Sequence, residues 1–313
     1  MSIVLVRIRE RRIEAQDVVS LVLECGDGAE LPPWQAGAHI DLKISDDVVR
    51  QYSLCSLPAQ RDCWRLGVLR QPEGRGGSEA VFALAEGALV EVSAPRNNFA
   101  LVEAQRYLFV AGGIGITPVL PMIHAADTAG ADWRLVYGGR SRKAMAFTQE
   151  LAGYGDRVEL LPEDERGLID LAAALAWCDD NTLVYACGPE AMLHAIETAM
   201  IDHAAALHLE RFTPKAQGEG LADEPFEVEF VASGLTRTVP AGTSILSVAE
   251  QEGLPVFSSC EQGTCGTCVT AIVSGRADHR DSLLSQAERE SNEQLCICVS
   301  RAEPGAGPLR LDL

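Results

Sequence analysis

Nothing in the sequence is apolar for long enough to cross a membrane, and nothing at its start reads as a signal for export. The segment Met1–Arg12 sets arginines and a glutamate inside an apolar run, which is a strand pattern, so the expected location is cytoplasmic. Basic charge is scarce. The 26 Lys and Arg residues against 45 Asp and Glu leave a formal charge of −19, which argues against nucleic acid as a partner. Such acidity can steer a molecule toward a basic patch on a protein partner, or serve solubility alone. Lysine is missing from residues 226–313, where twelve carboxylates accompany six arginines. The six histidines, His39, His124, His194, His203, His208 and His279, lack metal-ligand spacing, and no serine, histidine and acid form a hydrolytic constellation. Four of them, His124, His194, His203 and His208, fall in stretches that read as helical. What remains is 313 residues with 47% hydrophobic content, enough for two or three domains with ordinary cores.

Ten cysteines without an export signal point to metal ligands and free thiols rather than a disulfide framework. Those near the C-terminus carry the most information: Cys260, four residues to Cys265, two to Cys268, then twenty-nine to Cys298, with Cys296 two positions before it. The loop Ser258–Cys268 supplies three thiolates from one tight wrap, and Gly263 and Gly266 let its backbone curl so that amides face sulfur. A four-thiolate zinc site usually comes as two separate two-residue knuckles, whereas this spacing is that of a [2Fe-2S] centre. On a strand, Cys296 and Cys298 point the same way, so spacing alone leaves the fourth ligand open.

Over about residues 226–313 the motif resembles plant-type ferredoxins. The resemblance implies a small mixed sheet with one crossing helix, a β-grasp, and selects Cys298 as the fourth ligand with Cys296 as its packing neighbour. The local pattern agrees. Phe226–Val231 and Leu235–Val239 form a hairpin, Thr243 caps a helix over residues 244–252 that Gly253 closes, and Val269–Ser274 and Leu295–Ser300 add strands.

Residues 3–100 alternate apolar and polar in short strands: Ile3–Ile8, Val18–Glu24, His39–Ile44, Trp64–Leu69 and Leu89–Val92. Alternation with short connections indicates an antiparallel barrel. Within it, Arg50–Ser56 projects Arg50, Tyr52 and Leu54 to one side of a strand and Ser53 to the other. Gly74, Arg75, Gly76 and Gly77 then lead to Ser78, placed to cap a helix over Glu79–Leu84, where successive free amides attract phosphate.

Between Pro95 and Arg106 the pattern changes to repeating strand and helix, a domain boundary. Tyr107–Ala111 is a continuous apolar strand running into Gly112-Gly113-Ile-Gly115-Ile-Thr117-Pro118, with a helix over 119–129. Two further strands end in Gly138-Gly-Arg140 and in Cys187-Gly188-Pro189. In an open parallel sheet these three segments lie together at the carboxyl ends, where nucleotides bind. Arg140, Arg142 and Lys143 follow the second strand, where the adenosine ribose is read. They can hold a 2′-phosphate, grip the pyrophosphate or stay solvated, and no acid immediately follows that strand. A helix is expected to run on to His208, with Leu209–Phe212 as the last strand. Residues 213–225, rich in Pro, Gly and charge, read as a linker.

Arg50-x-Tyr52-Ser53-x-x-Ser56 resembles the flavin motif of the ferredoxin reductase superfamily, and the glycine loop, Arg140 and Cys187-Gly-Pro-x-x-Met-Leu resemble its pyridine-nucleotide domain. The resemblance implies Tyr52 against the flavin ring, Ser53 near its reactive nitrogen and Arg50 at phosphate. It likewise implies Cys187 beside the nicotinamide and an aromatic, here Phe212, against the flavin. The order of the three segments resembles the phthalate dioxygenase reductase and vanillate demethylase reductase family, which implies FMN rather than FAD and NADH as donor, with NADPH possible. The expected organisation is therefore multidomain: an FMN-binding antiparallel β-barrel over 1–103, an NAD-binding α/β domain with a parallel sheet over 104–213, a linker over 214–225, and a ferredoxin domain over 226–313. The expected partner is a Rieske-type oxygenase component acting on an aromatic acid or ether. A cytochrome P450 as acceptor, or a redox sensor without turnover, are the alternatives.

Overall fold

The computed structural model describes residues 3–45, 48–73, 76–215 and 223–313. These divide into two compact units, Met1–Glu210 and Arg211–Leu313, each with its own core.

The first unit opens with six antiparallel strands: β1 (Ile3–Ala15), β2 (Val18–Cys25), β3 (His39–Ser45), β4 (Val48–Ser53), β5 (Trp64–Leu69) and β6 (Leu89–Ser93). Their order is β4-β3-β6-β1-β2-β5. Just past β4, Leu54 bridges Leu66 and the Cys55 N–H donates to the Arg65 carbonyl at 2.8 Å, which ties the two edge strands and closes the sheet into the expected barrel. This contact covers part of two otherwise unpaired edges. Inward residues such as Val6, Ile8, Leu21, Ile40, Leu42 and Trp64 are fully buried. The helix α1 (Gly77–Phe82) starts earlier than expected. Gly76, left-handed at φ 75°, is its N-cap, while the Ser78 hydroxyl accepts instead from the Gln71 N–H at 3.0 Å.

Five parallel strands follow, β7 (Arg106–Gly112), β8 (Asp132–Gly139), β9 (Val158–Pro162), β10 (Thr182–Cys187) and β11 (Ala206–Glu210), ordered β11-β10-β7-β8-β9. The helices α2 (Ile116–Thr128), α3 (Thr148–Leu151), α4 (Glu163–Arg166), α5 (Leu171–Leu175) and α6 (Glu190–Ala199) connect them. Two expectations fail here, the helix that runs on to His208 and the last strand over Leu209–Phe212. The last helix stops at Ala199, so His203 and His208 are not helical; His208 lies on β11 and stacks on Tyr185 with centroids 4.5 Å apart. The alternating Ala206–Glu210 run satisfies a parallel edge strand beside β10, and this pairing outweighs the local helical preference of the alanines.

The change of pattern near Pro95 marks a change of sheet without a break in packing. One apolar core holds Val18, Cys55 and Phe99 together with Ile116, Trp133 and Phe147. Arg65 adds a polar tie, paired with Glu150 at 2.9 Å and lying over the Phe147 ring at 5.1 Å.

The second unit contains β12 (Phe226–Phe230), β13 (Leu235–Val239), β14 (Val269–Ser274), β15 (Ala277–Asp278), β16 (Gln294–Cys296), β17 (Arg301–Ala302) and β18 (Leu309–Leu311). The main sheet runs β13-β12-β18-β14-β16, with β12 and β18 parallel and the rest antiparallel. The helix α7 (Ile245–Gln251) buries Ile245, Leu246, Val248 and Ala249 in the core. Its cap is Ser244, whose hydroxyl accepts from Ser247, and not Thr243. A second helix, α8 (Gln286–Ser291), was not foreseen although Ser285 and Glu288 spell a capping box and form one. Among the described residues, no helix is long and apolar enough to cross a membrane.

Candidate active site and metal centre

In the first unit, the parallel register brings the carboxyl ends of four strands into line: Glu210 is paired with Cys187, Cys187 with Ala111, and Gly112 with Gly138. The glycine loop occupies the middle of this row. Gly115 lies so close to the Cys187–Gly188 peptide that a β-carbon there would collide with the Cys187 carbonyl. Bare backbone is therefore what allows the loop and the Cys187-Gly188-Pro189 segment to meet. Tyr137 donates from its hydroxyl to the Gly113 carbonyl at 3.1 Å, and Thr117 donates to Ile114 at 2.9 Å, so the loop is braced from below.

Cys187 is fully buried, and its thiol points to Glu210 Oε2 at 4.0 Å. Burial pushes the Cys187 thiol well above its ordinary value, with the Glu210 charge adding to the rise. Desolvation likewise raises the Glu210 carboxyl, to about 8, while the Ser53 hydroxyl opposes the shift. Glu210 keeps some solvent contact at its surface although protein surrounds its carboxyl on a wider scale, so the direction of the shift follows from the enclosing atoms. Ser53, at the end of β4, is buried with an Oγ that makes no close hydrogen bond. Ser53, Cys187 and Glu210 thus form one neighbourhood in which a proton can be held at the carboxyl at neutral pH.

The other residues expected here are placed as follows. Tyr52 is half-buried, and desolvation lifts its phenol to about 12, so the ring is presented uncharged. Arg50 crosses directly over Gly77, where any side chain would collide with its guanidinium. Leu54, by contrast, has its side chain wholly inside the barrel core, because it follows the strand end and turns inward. Gly74 and Arg75 lie outside the described residues. Phe212 lies beyond β11, two residues into the second unit, and its ring is half exposed. Glu210 was missed by sequence reading. Its signal was only a glutamate at a strand end, and that becomes informative once β11 is known to flank β10.

In the second unit the loop Ser258–Cys268 wraps as its glycines require. Gly263 has φ 69° and its hydrogen faces Val299, where a β-carbon would lie 2.6 Å from Cγ2. The Gln262 N–H donates to Cys260 Sγ at 3.3 Å and the Thr267 N–H to Cys265 Sγ at 3.4 Å. The thiols gather in two groups, Cys260 with Cys265 and Cys268 with Cys296 and Cys298. A hydrogen bond from Cys265 draws Cys260 down, and hydrogen bonds from Cys296 and Cys298 draw Cys268 down. Among the described residues no three such ligands converge on a single ion. Paired thiolates are what a two-iron cluster takes, two sulfurs to each iron, so the residues fit the group. Cys296 ends β16 while Cys298 lies in the following turn, so the two are not on one strand as expected. Of the two, Cys298 is the one that faces the Gly263 N–H and Cys260.

For the first unit the fit rests on different features. The buried Ser53 hydroxyl beside Tyr52, which makes no close hydrogen bond, and the bare Gly77 under Arg50 suit a flavin ring and its phosphate; the unencumbered Gly112–Gly115 backbone suits a pyrophosphate. A nucleotide-binding parallel sheet, a barrel that joins it and a four-cysteine β-grasp define an oxidoreductase with a [2Fe-2S] domain. Comparison agrees: residues 109–198 match the oxidoreductase NAD-binding domain family, and residues 230–303 match the 2Fe-2S iron-sulfur cluster binding domain family. The chain is 43% identical to phenoxybenzoate dioxygenase subunit beta of Ectopseudomonas oleovorans, over 100% of its own length and 98% of that protein's. Phthalate dioxygenase reductase, a modular structure for electron transfer from pyridine nucleotides to [2Fe-2S], aligns at TM-score 0.71 and 35% identity over 100% of this chain and 98% of that one. An intact type IV self-sufficient cytochrome P450 monooxygenase aligns at TM-score 0.92 and 38% identity over 99% of this chain, which spans 41% of that one. The chain belongs to the phthalate dioxygenase reductase family of oxygenase reductase components.

Proposed function

We propose that this protein takes electrons from NADH through FMN to its [2Fe-2S] cluster and delivers them to a separate Rieske-type oxygenase in the cytoplasm. The observation that carries this reading is the convergence of Ser53, Cys187 and Glu210 at the mouth of the nucleotide-binding sheet, in a chain that also pairs four cysteines for two irons. A bound flavin supplies the step from a two-electron hydride donor to a one-electron acceptor. The protein does the rest. Gly112–Gly115 and Thr117 hold the dinucleotide by its pyrophosphate, with Arg140 at its adenosine end. Buried Cys187, with the more exposed Gly188 and Pro189, forms the wall against which the nicotinamide lies. Tyr52 covers the flavin ring, and Arg50, Gly76, Gly77 and Ser78 hold its phosphate end. The Ser53 hydroxyl is available to hydrogen-bond the ring, and Glu210 stores a proton next to it. In the second unit Cys260, Cys265, Cys268 and Cys298 ligate the cluster.

Flavin released from purified protein is expected to be FMN by mass, with about two irons per chain. Anaerobic NADH is expected to bleach both centres, flavin first. Loss of flavin absorbance with the iron centre left oxidised indefinitely would refute the electron path. A cytochrome P450 as acceptor is the second reading, favoured by the alignment to the self-sufficient P450 chain. Turnover with a Rieske oxygenase against turnover with a P450 separates the two.

A further inference from the structure

The corner of the nucleotide sheet where the adenosine ribose belongs is built from two strands, not one. After β8 come the cations Arg140, Arg142 and Lys143. After its parallel neighbour β9, in register through Gly139 and Pro162, comes α4 with Glu163, Asp164 and Glu165 in its first turn. The two connections are joined: the Asp164 N–H donates to the Arg140 carbonyl at 3.3 Å. Arg142 then forks onto Glu165, with Nη2 at 2.8 Å from Oε2 and Nε at 3.3 Å from Oε1. Each partner shifts the other in the expected sense, the hydrogen bond raising Arg142 and lowering Glu165.

A 2′-phosphate requires an arginine whose fork is free and a corner that is net positive; a 2′-hydroxyl requires neither and is served by a nearby carboxylate. Here Glu165 occupies the fork of Arg142, and Glu163, Asp164 and Glu165 of α4 stand against the three cations after β8, while Arg166 at the end of α4 is turned to Glu159 on β9 at 3.4 Å. We infer that Glu165 is a specificity-determining residue that sets the preference for NADH over NADPH, by holding Arg142 and by opposing a second phosphate. This rests on the pyridine-nucleotide reading of the site. Discrimination of this kind works by repelling the wrong ligand as much as by holding the right one.

The test is Glu165→Gln in the holo-protein, with Glu165→Gln/Arg142→Ala as its control. Glu165→Gln is expected to raise the NADPH-to-NADH ratio of kcat/KM about tenfold, through a lower KM for NADPH. The ligand 2′,5′-ADP, which needs no catalysis, is expected to bind the variant more tightly than wild type in titration calorimetry while 5′-AMP does not. The double variant is expected to lose both gains. An unchanged ratio together with unchanged 2′,5′-ADP affinity would overturn the inference, as would wild-type protein that uses NADPH as well as NADH. Failure to oxidise either nucleotide would instead overturn the reading on which it rests.

Discussion

Glu210 shows how a single carboxyl acquires a chemical role from its surroundings. Free in water it is ionised at neutral pH; next to the buried Cys187 thiol its proton is held up to about pH 8. Because the folded chain binds this proton more tightly than the unfolded one, its contribution to stability is complete below the ordinary value of 4.5 and is lost as pH rises through about 8. Glu210→Gln should flatten that decline. Calorimetric melting from pH 5 to 9 checks it, and parallel slopes for wild type and variant would contradict the assignment. The cysteine pair offers a second residue-scale test. Cys298→Ser is expected to lose or perturb the cluster, whereas Cys296→Ser keeps about two irons per chain and an unaltered visible spectrum. Sequence spacing left these two cysteines equivalent, because their difference lies in the turn that follows β16.

At the scale of elements, the loops matter more than the strands that carry them. Gly115→Ala should force the glycine loop from the Cys187 segment, costing about 1–3 kcal/mol and weakening nucleotide binding. Thermal unfolding with and without NADH reads both effects. Gly263→Ala combines a left-handed φ with contact against Val299 and Asp281, so the cluster loop is expected to bind iron poorly while α7 and its sheet stay folded. Most strands could be read from alternation alone: β2, β3, β5 and β6 lie within a residue or so of expectation. Helix ends were less legible. Ser78 and Thr243 each look like caps, yet Gly76 and Ser244 take the role, since a cap is chosen by where the chain enters the helix as well as by residue type. Residues 200–210 misled for another reason, an edge strand recruited by β10.

The whole molecule divides at Arg211, slightly ahead of the expected linker. The described ends of that linker are attached to the second unit: the Lys215 N–H donates to Ser282 Oγ at 2.7 Å, and Asp223 pairs with Arg301 at 2.7 Å. Since each unit has its own core, truncation after Glu210 is expected to leave a folded flavoprotein that still reduces ferricyanide with NADH. Reduction of cytochrome c, which draws single electrons through the cluster, should fall at least about tenfold in that truncation. A truncation that does not fold would show that the two units are one cooperative domain.

Taken alone, the sequence determined which chemistry is present, because thiolate spacing, glycine loops and strand alternation are local properties that side chains and backbone dictate within a few residues. The tertiary structure decided what only neighbours from distant segments can decide. It set Glu210 beside Cys187 and Ser53, turned Cys298 toward the cluster loop while Cys296 stayed at the strand end, and supplied the acidic partner of Arg142 from the helix that follows the neighbouring strand. The physical reason is the same in each case: burial and charge pairing depend on distance in space, and sheet order brings together residues that chain order keeps apart.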